Sequence, residues 1–274
     1  MAIITISRKA GSYGEEIGAL VAKKLNYRFV TPEDIHKLAE ECDAEFKRAC
    51  SVFEREVSTG FMERFFFRDP SYLSLFQSLN FELAAGGDVI LLGRGAQFVL
   101  ADYPGVFRVR VVAPFKTRVE RVAEKKKVSQ DEAANYLEHL DSSRRSLIES
   151  VFKKDLGDWS WYDMLINTTH IPAEVGADII CQAVKEITWP VSKEEIKRNF
   201  TSLAFAKKVE SAIKKELPAT PYSNIEVVSP AEGEIVVSGY VQDQASREMA
   251  AEVASKMPGV KSVQNELKTT GLIY

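Results

Sequence analysis

The sequence contains few cysteines and no long hydrophobic run. Its three cysteines, Cys42, Cys50 and Cys181, form no Cys-x-x-Cys pair, so neither a disulfide framework nor a zinc site is indicated. No stretch approaches the roughly 18 apolar residues of a membrane-spanning helix. The N-terminus also lacks the basic and apolar segments of a signal peptide. We therefore expect a cytoplasmic protein with no transmembrane segment.

A large excess of charge of either sign is also missing. The chain has 36 Lys and Arg residues and 39 Asp and Glu residues, which give a formal net charge of −3 at pH 7 with histidine neutral. This balance argues against nucleic acid as a partner of the whole chain. Hydrophobic residues make up 45% and charged residues 27% of the 274 positions, an ordinary globular mix. At roughly 100–200 residues per domain, the length favours one large domain or two smaller ones.

The first two thirds of the chain alternate between predicted strands and predicted helices. Apolar runs predict buried strands at residues 3–6, 88–93, 107–112 and 164–167. Ser129 and Glu132 form a capping-box motif for one of the helices between them, and Pro172 begins another. This alternation predicts an α/β domain with a mainly parallel sheet covered by helices on both faces.

Residues 32–85 are predicted to be mostly helical, and they contain an aromatic cluster. Four phenylalanines fall within residues 61–67. Core packing, a subunit contact in a homodimer and a ligand pocket all fit such a cluster, and the sequence leaves the three alternatives open.

The pattern changes after Trp189-Pro190. Polar residues follow, and we predict a linker over residues 189–202. Residues 203–274 then show the pattern of a helix, two strands, a second helix and a last strand. The sequence therefore predicts a nucleotide-binding-type α/β domain over residues 1–188 and a small α+β domain of αββαβ order over residues 203–274.

A glycine-containing loop joins the first predicted strand to a helix that starts near Gly14. In a phosphate-binding P-loop, GxxxxGK[ST], backbone N–H groups surround phosphate oxygens, the lysine neutralises them, and the hydroxyl holds Mg²⁺. Aligned by strand and helix, Arg8 and Tyr13 stand at the two glycines of this motif. Gly14 stands at the lysine and Glu15 at the Ser/Thr. The diagnostic residues are therefore absent, and Arg8 and Lys9 are the nearest replacement cations.

Two of these replacements, and two arginines of a later predicted strand, leave alternatives open. The carboxylate of Glu15 either holds Mg²⁺ directly, as a suitable hard ligand, or repels phosphate and leaves the domain inactive. Tyr13 either forces a different path on the loop or lies over the nucleotide. Arg108 and Arg110, which share one face of a predicted strand, either pair with acids or face a phosphate cleft.

Four segments resemble the cytidylate kinase-like family. Residues 4–18 are similar to its N-terminal signature ISRxxGSGGxxIG, with Tyr13 where glycine is usual. The segment LLGRGA at residues 91–96 is similar to its VGRGA segment, with Gly95 where true cytidylate kinases have aspartate. Asp141-Ser-Ser-Arg144 and YDMLINT at residues 162–168 match its DxxR and YDLVINT patterns. The resemblance extends over residues 1 to about 188 and implies a P-loop-kinase-like sheet flanked by helices.

The resemblance implies ATP- and Mg²⁺-dependent phosphoryl transfer to a small phosphate-bearing acceptor, for example a nucleoside monophosphate. Arg94, at the end of a strand, then binds the acceptor with Asp141, whereas a structural salt bridge is the alternative for Arg94. Arg144 and Arg145 then stabilise the transferring group, whereas a solvated helix face is the alternative. Arg8 and Lys9 are the further catalytic candidates. The candidates for binding nucleotide are Ser7, Gly11, Ser12, Tyr13, Gly14 and Glu15. Glu15 is also the candidate for binding Mg²⁺.

Residues 203–270 resemble a BON domain, a family associated with membrane or small-ligand binding. The similar pieces are VVSGYV at residues 236–241, which includes Gly239, and MPGV at residues 257–260 before the last predicted strand. We expect a regulatory or interaction role for this part, with an unidentified ligand or protein as its partner. The alternative to a kinase is accordingly a catalytically inactive nucleotide-binding sensor whose BON-like domain relays the signal.

Overall fold

The structure is a computed structural model that describes residues 2–42, 70–217 and 224–270. The described residues fall into two compact units. The first unit contains residues 2–42 and 86–193, and the second contains residues 70–85 and those from 194 onward. The phenylalanine cluster at residues 61–67 lies outside the described residues, so its interpretations stay predictions.

The first unit is built on a sheet of five parallel strands. In spatial order β2-β3-β1-β4-β5, every neighbouring pair is parallel. The strands are β1 Ile3–Arg8, β2 Arg28–Val30, β3 Val89–Leu92, β4 Val106–Val112 and β5 Met164–Asn167. The predicted parallel sheet is confirmed. Only β2 was not predicted, because a three-residue edge strand is too short to show a period.

Helices connect and cover these strands, and further helices belong to the second unit. They are α1 Gly14–Leu25, α2 Pro32–Cys42, α3 Ser71–Ala85, α4 Ala96–Val99, α5 Phe115–Lys126, α6 Gln130–Phe152, α7 Ala173–Glu186, α8 Lys193–Glu216 and α9 Gln244–Lys256. The predicted capping box of α6 is present, since the Glu132 N–H donates to Ser129 Oγ and the Ser129 N–H donates to Glu132 Oε2 at 2.9 Å. Ile17 and Val21 of α1 and Ile180 of α7 pack against the apolar side chains of β1 and β4. This packing fixes the start of α1 relative to the end of β1.

The second unit has a small mixed sheet against α8 and α9. Its strands are β6 Asn224–Val228, β7 Glu234–Val241, β8 Ser262–Asn265 and β9 Lys268–Thr269. β6 pairs with β7 in the antiparallel sense, and β8 and β9 pair with β7 in the parallel sense. Val209 and Ile213 of α8, Val237 of β7 and Ala250 of α9 belong to its core. The predicted small αββαβ domain is confirmed.

The division into units differs from the predicted boundaries at two places. Residues 193–202 of the predicted linker form the first turns of α8, whose polar appearance comes from its exposed side, while Ile196 and Phe200 are buried. Helix α3, which lies inside the predicted first domain, packs in the second unit. Its Phe81 ring stacks on Phe200 with a centroid distance of 6.0 Å, and Ser78 Oγ donates to the Ala204 carbonyl at 2.8 Å.

A buried carboxylate joins α3, α8 and β6 within the second unit. Glu210 is 2% exposed. It accepts hydrogen bonds from Ser74 Oγ at 2.7 Å and from the Val227 N–H at 3.2 Å. Lys207 Nζ lies at 2.6 Å and Lys214 Nζ at 2.5 Å. Burial by itself raises the pKa of Glu210, but the two lysines and their hydrogen bonds outweigh burial and hold that pKa below its ordinary value.

Across the described ranges, every helix is too short or too polar to cross a membrane.

Candidate functional site

The loop between β1 and α1 is fixed by hydrogen bonds to its surroundings. The Lys9 N–H donates to the Val111 carbonyl at 3.1 Å, and Gly11 and Tyr13 both have left-handed backbones with φ of 74° and 61°. The Ser12 side chain is 0% exposed, and its Oγ lies 2.7 Å from the Lys9 carbonyl and 3.0 Å from that of Val111. Ser12 therefore holds the loop against β4, and its hydroxyl is turned away from the open side.

Tyr13 forms part of the wall beside the loop. The guanidinium carbon of Arg121 lies 3.9 Å from the centre of the Tyr13 ring, which is a cation–π distance. Arg121 is itself held by Thr168, whose carbonyl accepts from Nη2 at 2.7 Å and whose Oγ1 lies 3.0 Å from Nη1. Arg121 Nη1 also donates to the Gly11 carbonyl at 3.3 Å. The backbone of the loop is therefore left-handed at Tyr13, and Arg121 holds the Tyr13 ring beside the predicted phosphate loop.

Two cavities lie beside this loop. The first has a volume of about 490 Å³, and the second has a volume of about 310 Å³. Among the predicted site residues, the first is lined by Arg8, Lys9, Gly11, Tyr13, Gly14, Glu15 and Arg144. The second is lined by Arg8, Lys9, Asp141, Arg144 and Arg145. Arg8, Lys9 and Arg144 line both cavities and therefore stand where the two meet.

Arg8 has an unusual electrostatic environment. Burial, followed by the nearby guanidinium groups of Arg144 and Arg94, lowers the pKa of Arg8 to about 9. Glu15 and Glu33 act in the opposite direction and more weakly. Positive groups that are brought together against their own repulsion are characteristic of anion-binding sites.

Asp141 organises the loop. Its carboxylate accepts from Arg118 at 2.8 Å and 3.3 Å, and Lys9 Nζ lies 3.8 Å away. The Arg118 side chain is 2% exposed and also donates to the Ala10 carbonyl at 3.3 Å. Desolvation lowers the pKa of Lys9, although Asp141 acts in the opposite direction. Asp141 thus connects α6, α5 and the loop.

The remaining predicted residues are placed differently. Ser7 is buried at the end of β1, and its hydroxyl accepts from Arg110 Nη1. Arg110 also lines the second cavity, whereas Arg108 pairs with Asp163 at 2.7 Å. Arg108 therefore pairs with an acid, as one alternative had it, whereas Arg110 faces a cavity, and a phosphate in that cavity stays a prediction. Arg94 has a left-handed backbone with φ of 57° between Gly93 and Gly95; it is close enough to lower the pKa of Arg8 but is not among the residues that line these two cavities.

Sequence reasoning did not single out Arg118 and Arg121 as members of the site. Both belong to a run of basic residues along α5. Their spacing of three residues, which places two side chains on one helix face, was the available signal. It did not reveal that this face lies against the loop.

The donor set near Glu15 is compatible with Mg²⁺ bound together with phosphate. In the described part of the chain, no three His, Cys, Asp or Glu residues are grouped as a metal-binding cluster. Glu15 is an exposed carboxylate that lines the first cavity. Mg²⁺ usually takes one or two protein carboxylates and completes its shell with water and substrate phosphates. Glu15 fits that pattern as a single carboxylate ligand.

Comparison with known proteins identifies two families and a similar fold. The cytidylate kinase-like family model matches residues 3–170, and the BON domain model matches residues 205–271. The cytidylate kinase of Methanocaldococcus jannaschii is 24% identical over 191 residues, which cover 68% of this chain and 98% of that protein. The cytidylate kinase of Halorubrum lacusprofundi is 27% identical over 183 residues, 66% of this chain and 88% of that protein. An uncharacterized protein from Eubacterium ventriosum has a similar fold, with a TM-score of 0.52 at 19% identity, covering 68% of this chain and 100% of that one.

Proposed function

Since the chain belongs to the cytidylate kinase-like family, we propose that it transfers a phosphoryl group from ATP to a small phosphate-bearing acceptor, for example a nucleoside monophosphate. The observation that carries this proposal is the position of Arg8, Lys9 and Arg144, which line both cavities at once. A phosphoryl group that passes from a donor in one cavity to an acceptor in the other would cross this group of cations.

The first cavity is the proposed donor site. It is lined by the loop and by the first turn of α1, where the positive end of the helix dipole favours phosphate. Glu15 would hold Mg²⁺, which when bound supplies neutralising charge to the β- and γ-phosphates. Tyr13 and Arg121 form a planar wall of this cavity. The fixed loop would orient the triphosphate toward Arg8.

The cations between the cavities are the proposed catalytic groups. In the transfer, the bond from the γ-phosphorus to the leaving oxygen of ATP breaks, and a bond to an acceptor oxygen forms. Negative charge spreads over the three equatorial oxygens, and catalysis consists mainly of positioning and of stabilising this charge. Arg8, Lys9 and Arg144 would supply the stabilising charge, so that a P-loop lysine is not required.

The second cavity is the proposed acceptor site. Arg110, Arg144 and Arg145 line it, and guanidinium groups bind phosphate by two parallel hydrogen bonds. Asp141 is occupied by Arg118 and Lys9, so its proposed role is to position these cations. Arg94 would act from the end of β3 through its charge.

The Phe152 ring occupies the space that a side chain at position 95 would need. A Cβ built on Gly95 would lie 2.4 Å from Cε2 and 2.7 Å from Cζ of Phe152. The Phe152 ring packs beside Phe98, and the Phe98 ring meets Trp161 edge-on at 5.6 Å. An aspartate, which the resemblance places here in true cytidylate kinases, would not fit without movement of the Phe152 ring. A panel of acceptors must therefore extend beyond cytidylate.

The test is ADP release from Mg-ATP with the purified full chain, across nucleoside monophosphates and small phosphorylated metabolites, with a no-acceptor control. We expect ADP release that depends on one acceptor class and on Mg²⁺. Binding of ATP without ADP release, for every acceptor tried, would contradict the kinase and favour the nucleotide-binding sensor. The missing lysine and the BON domain are the features that favour this alternative.

A further inference from the structure

Arg8 occupies the space that a side chain at position 14 would need. A Cβ built on Gly14 would lie 2.4 Å from Cβ and 3.0 Å from Cγ of Arg8. Contacts under 3.0 Å are essentially never made by real Cβ atoms. The next neighbour is Val111 Cβ at 3.4 Å, an ordinary contact distance. Among the described residues, Arg8 is therefore the group that excludes a side chain from position 14.

The far end of Arg8 fills a second glycine position. A Cβ built on Gly93 would lie 1.8 Å from Nη1 and 2.9 Å from Cζ of Arg8. The Arg8 side chain therefore runs from Gly14, which accommodates its stem, to Gly93, which accommodates its guanidinium. Gly93 has a left-handed backbone with φ of 72° and its N–H donates to the Ile6 carbonyl at 2.9 Å, so β1 and the end of β3 hold this channel in place.

The two departures from the P-loop motif are reciprocal. The motif has its first glycine where this chain has Arg8, and it has its lysine where this chain has Gly14. The cation and the glycine have exchanged places. Gly14 has no positive φ, so its backbone would accept a lysine, and the obstacle is the Cβ of Arg8.

We propose that this loop is a P-loop with a transposed cation, in which the Arg8 guanidinium takes the task of the lysine and thereby requires glycine at position 14. The inference rests on the proposed function, because the ligand of the guanidinium is the triphosphate of the donor. Gly93 is a positioning residue in this account, since its lack of a side chain sets where the guanidinium ends. Arg8 and a lysine at position 14 are mutually exclusive carriers of one charge.

The test restores the order of the P-loop motif by placing glycine at position 8 and lysine at position 14. R8G, G14K and R8G/G14K are compared with the unmodified full chain by thermal unfolding and by titration with Mg-ATP. R8A/G14K is the matched control, because alanine removes the guanidinium but keeps the Cβ that causes the clash. A19K, a lysine at an exposed position of the same helix, controls for the added charge.

We expect R8G to weaken Mg-ATP binding by about tenfold or more, because a charged hydrogen-bond donor is lost. G14K should lower the unfolding temperature by about 4 °C or more through overpacking, whereas A19K should not. R8G/G14K should bind Mg-ATP within about threefold of the unmodified chain, whereas R8A/G14K should stay as weak as R8G and should unfold early.

Additive effects of R8G and G14K on the unfolding temperature would overturn the mutual exclusion. Coupled unfolding temperatures with no recovery of Mg-ATP binding in R8G/G14K would overturn the shared task. Failure of the unmodified chain to bind Mg-ATP, with the unfolding temperatures still coupled, would refute the proposed function while supporting the mutual exclusion. The unfolding and binding measurements thus separate the two claims.

Discussion

Arg8 in the first unit is partly buried and Glu210 in the second is buried, and the charges around them are opposite in kind. Around Arg8, burial and the like charges of Arg144 and Arg94 lower its pKa to about 9. Glu210 is surrounded by two lysines, a serine hydroxyl and a backbone N–H. A buried charge with matching partners is retained for folding, whereas like charges held together cost stability and mark a binding site. We therefore interpret Glu210 as structural and Arg8 as part of the proposed binding site.

The largest expected effect concerns Glu210, whose charge is matched by two lysines. Replacing Glu210 by alanine leaves Lys207 and Lys214 without their buried partner, and breaking a buried pair costs about 3–5 kcal/mol. Denaturant unfolding of the full chain should show this loss in the second unit. Glu252 is the control, because it also faces a lysine four residues later, Lys256, but both side chains are exposed. E252A should leave the free energy of unfolding almost unchanged, and equal losses in the two variants would contradict the structural role of Glu210.

The next effect concerns the like charges of the first unit. R144A should lower the turnover of the proposed reaction by about 10²-fold or more, the usual cost of removing one group that stabilises the transition state. R94A should act in the same direction. An exposed arginine of the second unit, Arg198, supplies the control R198A.

Unchanged turnover in both R144A and R94A would show that these arginines are structural. A marked fall in the unfolding temperature together with unchanged turnover would assign that arginine to the fold and not to the reaction. Steady-state ADP release and thermal unfolding on the same preparations distinguish these results.

The pH dependence of stability should be clearest in the second unit. The folded-state pKa of Glu210 lies below its ordinary value of 4.5, so the folded state binds fewer protons than the unfolded state in this range. Its contribution to stability is therefore fully present above about pH 4.5 and is lost as pH falls through the lower, folded-state pKa. Unfolding of the full chain between pH 7 and pH 3 should show this loss, and E210Q should flatten it. A profile identical in E210Q would contradict the assignment.

The smallest effect tests the place of α3. S74A removes a hydroxyl that donates to Glu210 at 2.7 Å, and it should destabilise the second unit by about 1 kcal/mol. In the E210A background the same replacement should cost much less, because the two groups interact directly. Additive losses would show that α3 and Glu210 are not coupled.

Much of the fold was predictable because its signals are local. The strand Met164–Asn167, the start of α1 at Gly14 and the Ser129–Glu132 capping box follow from apolar runs and short-range motifs. The membership of α3 in the second unit was not predictable in this way. It depends on Phe200 and Glu210, which lie more than one hundred residues further along the chain.

The sequence indicated which residues belong to the candidate site better than it indicated how their side chains are arranged. The alignment with the P-loop motif identified Arg8 and Lys9, and the resemblance identified Arg144; the structure brings the three together. The resemblance also included Ser7 and Ser12 among the phosphate-binding candidates, but their hydroxyls bond to Arg110 and to backbone carbonyls. Which way a short hydroxyl side chain turns is decided by tertiary neighbours, and no local pattern encodes it.

The guanidinium groups around Arg8 form the proposed site for the phosphates of a nucleotide. Titration calorimetry of the unmodified full chain with Mg-ATP, followed by thermal unfolding of the complex, tests it most directly. The account predicts saturable binding that raises the unfolding temperature of the first unit and leaves the Glu210-dependent transition of the second unchanged. Absence of binding for every nucleoside triphosphate tried would contradict it.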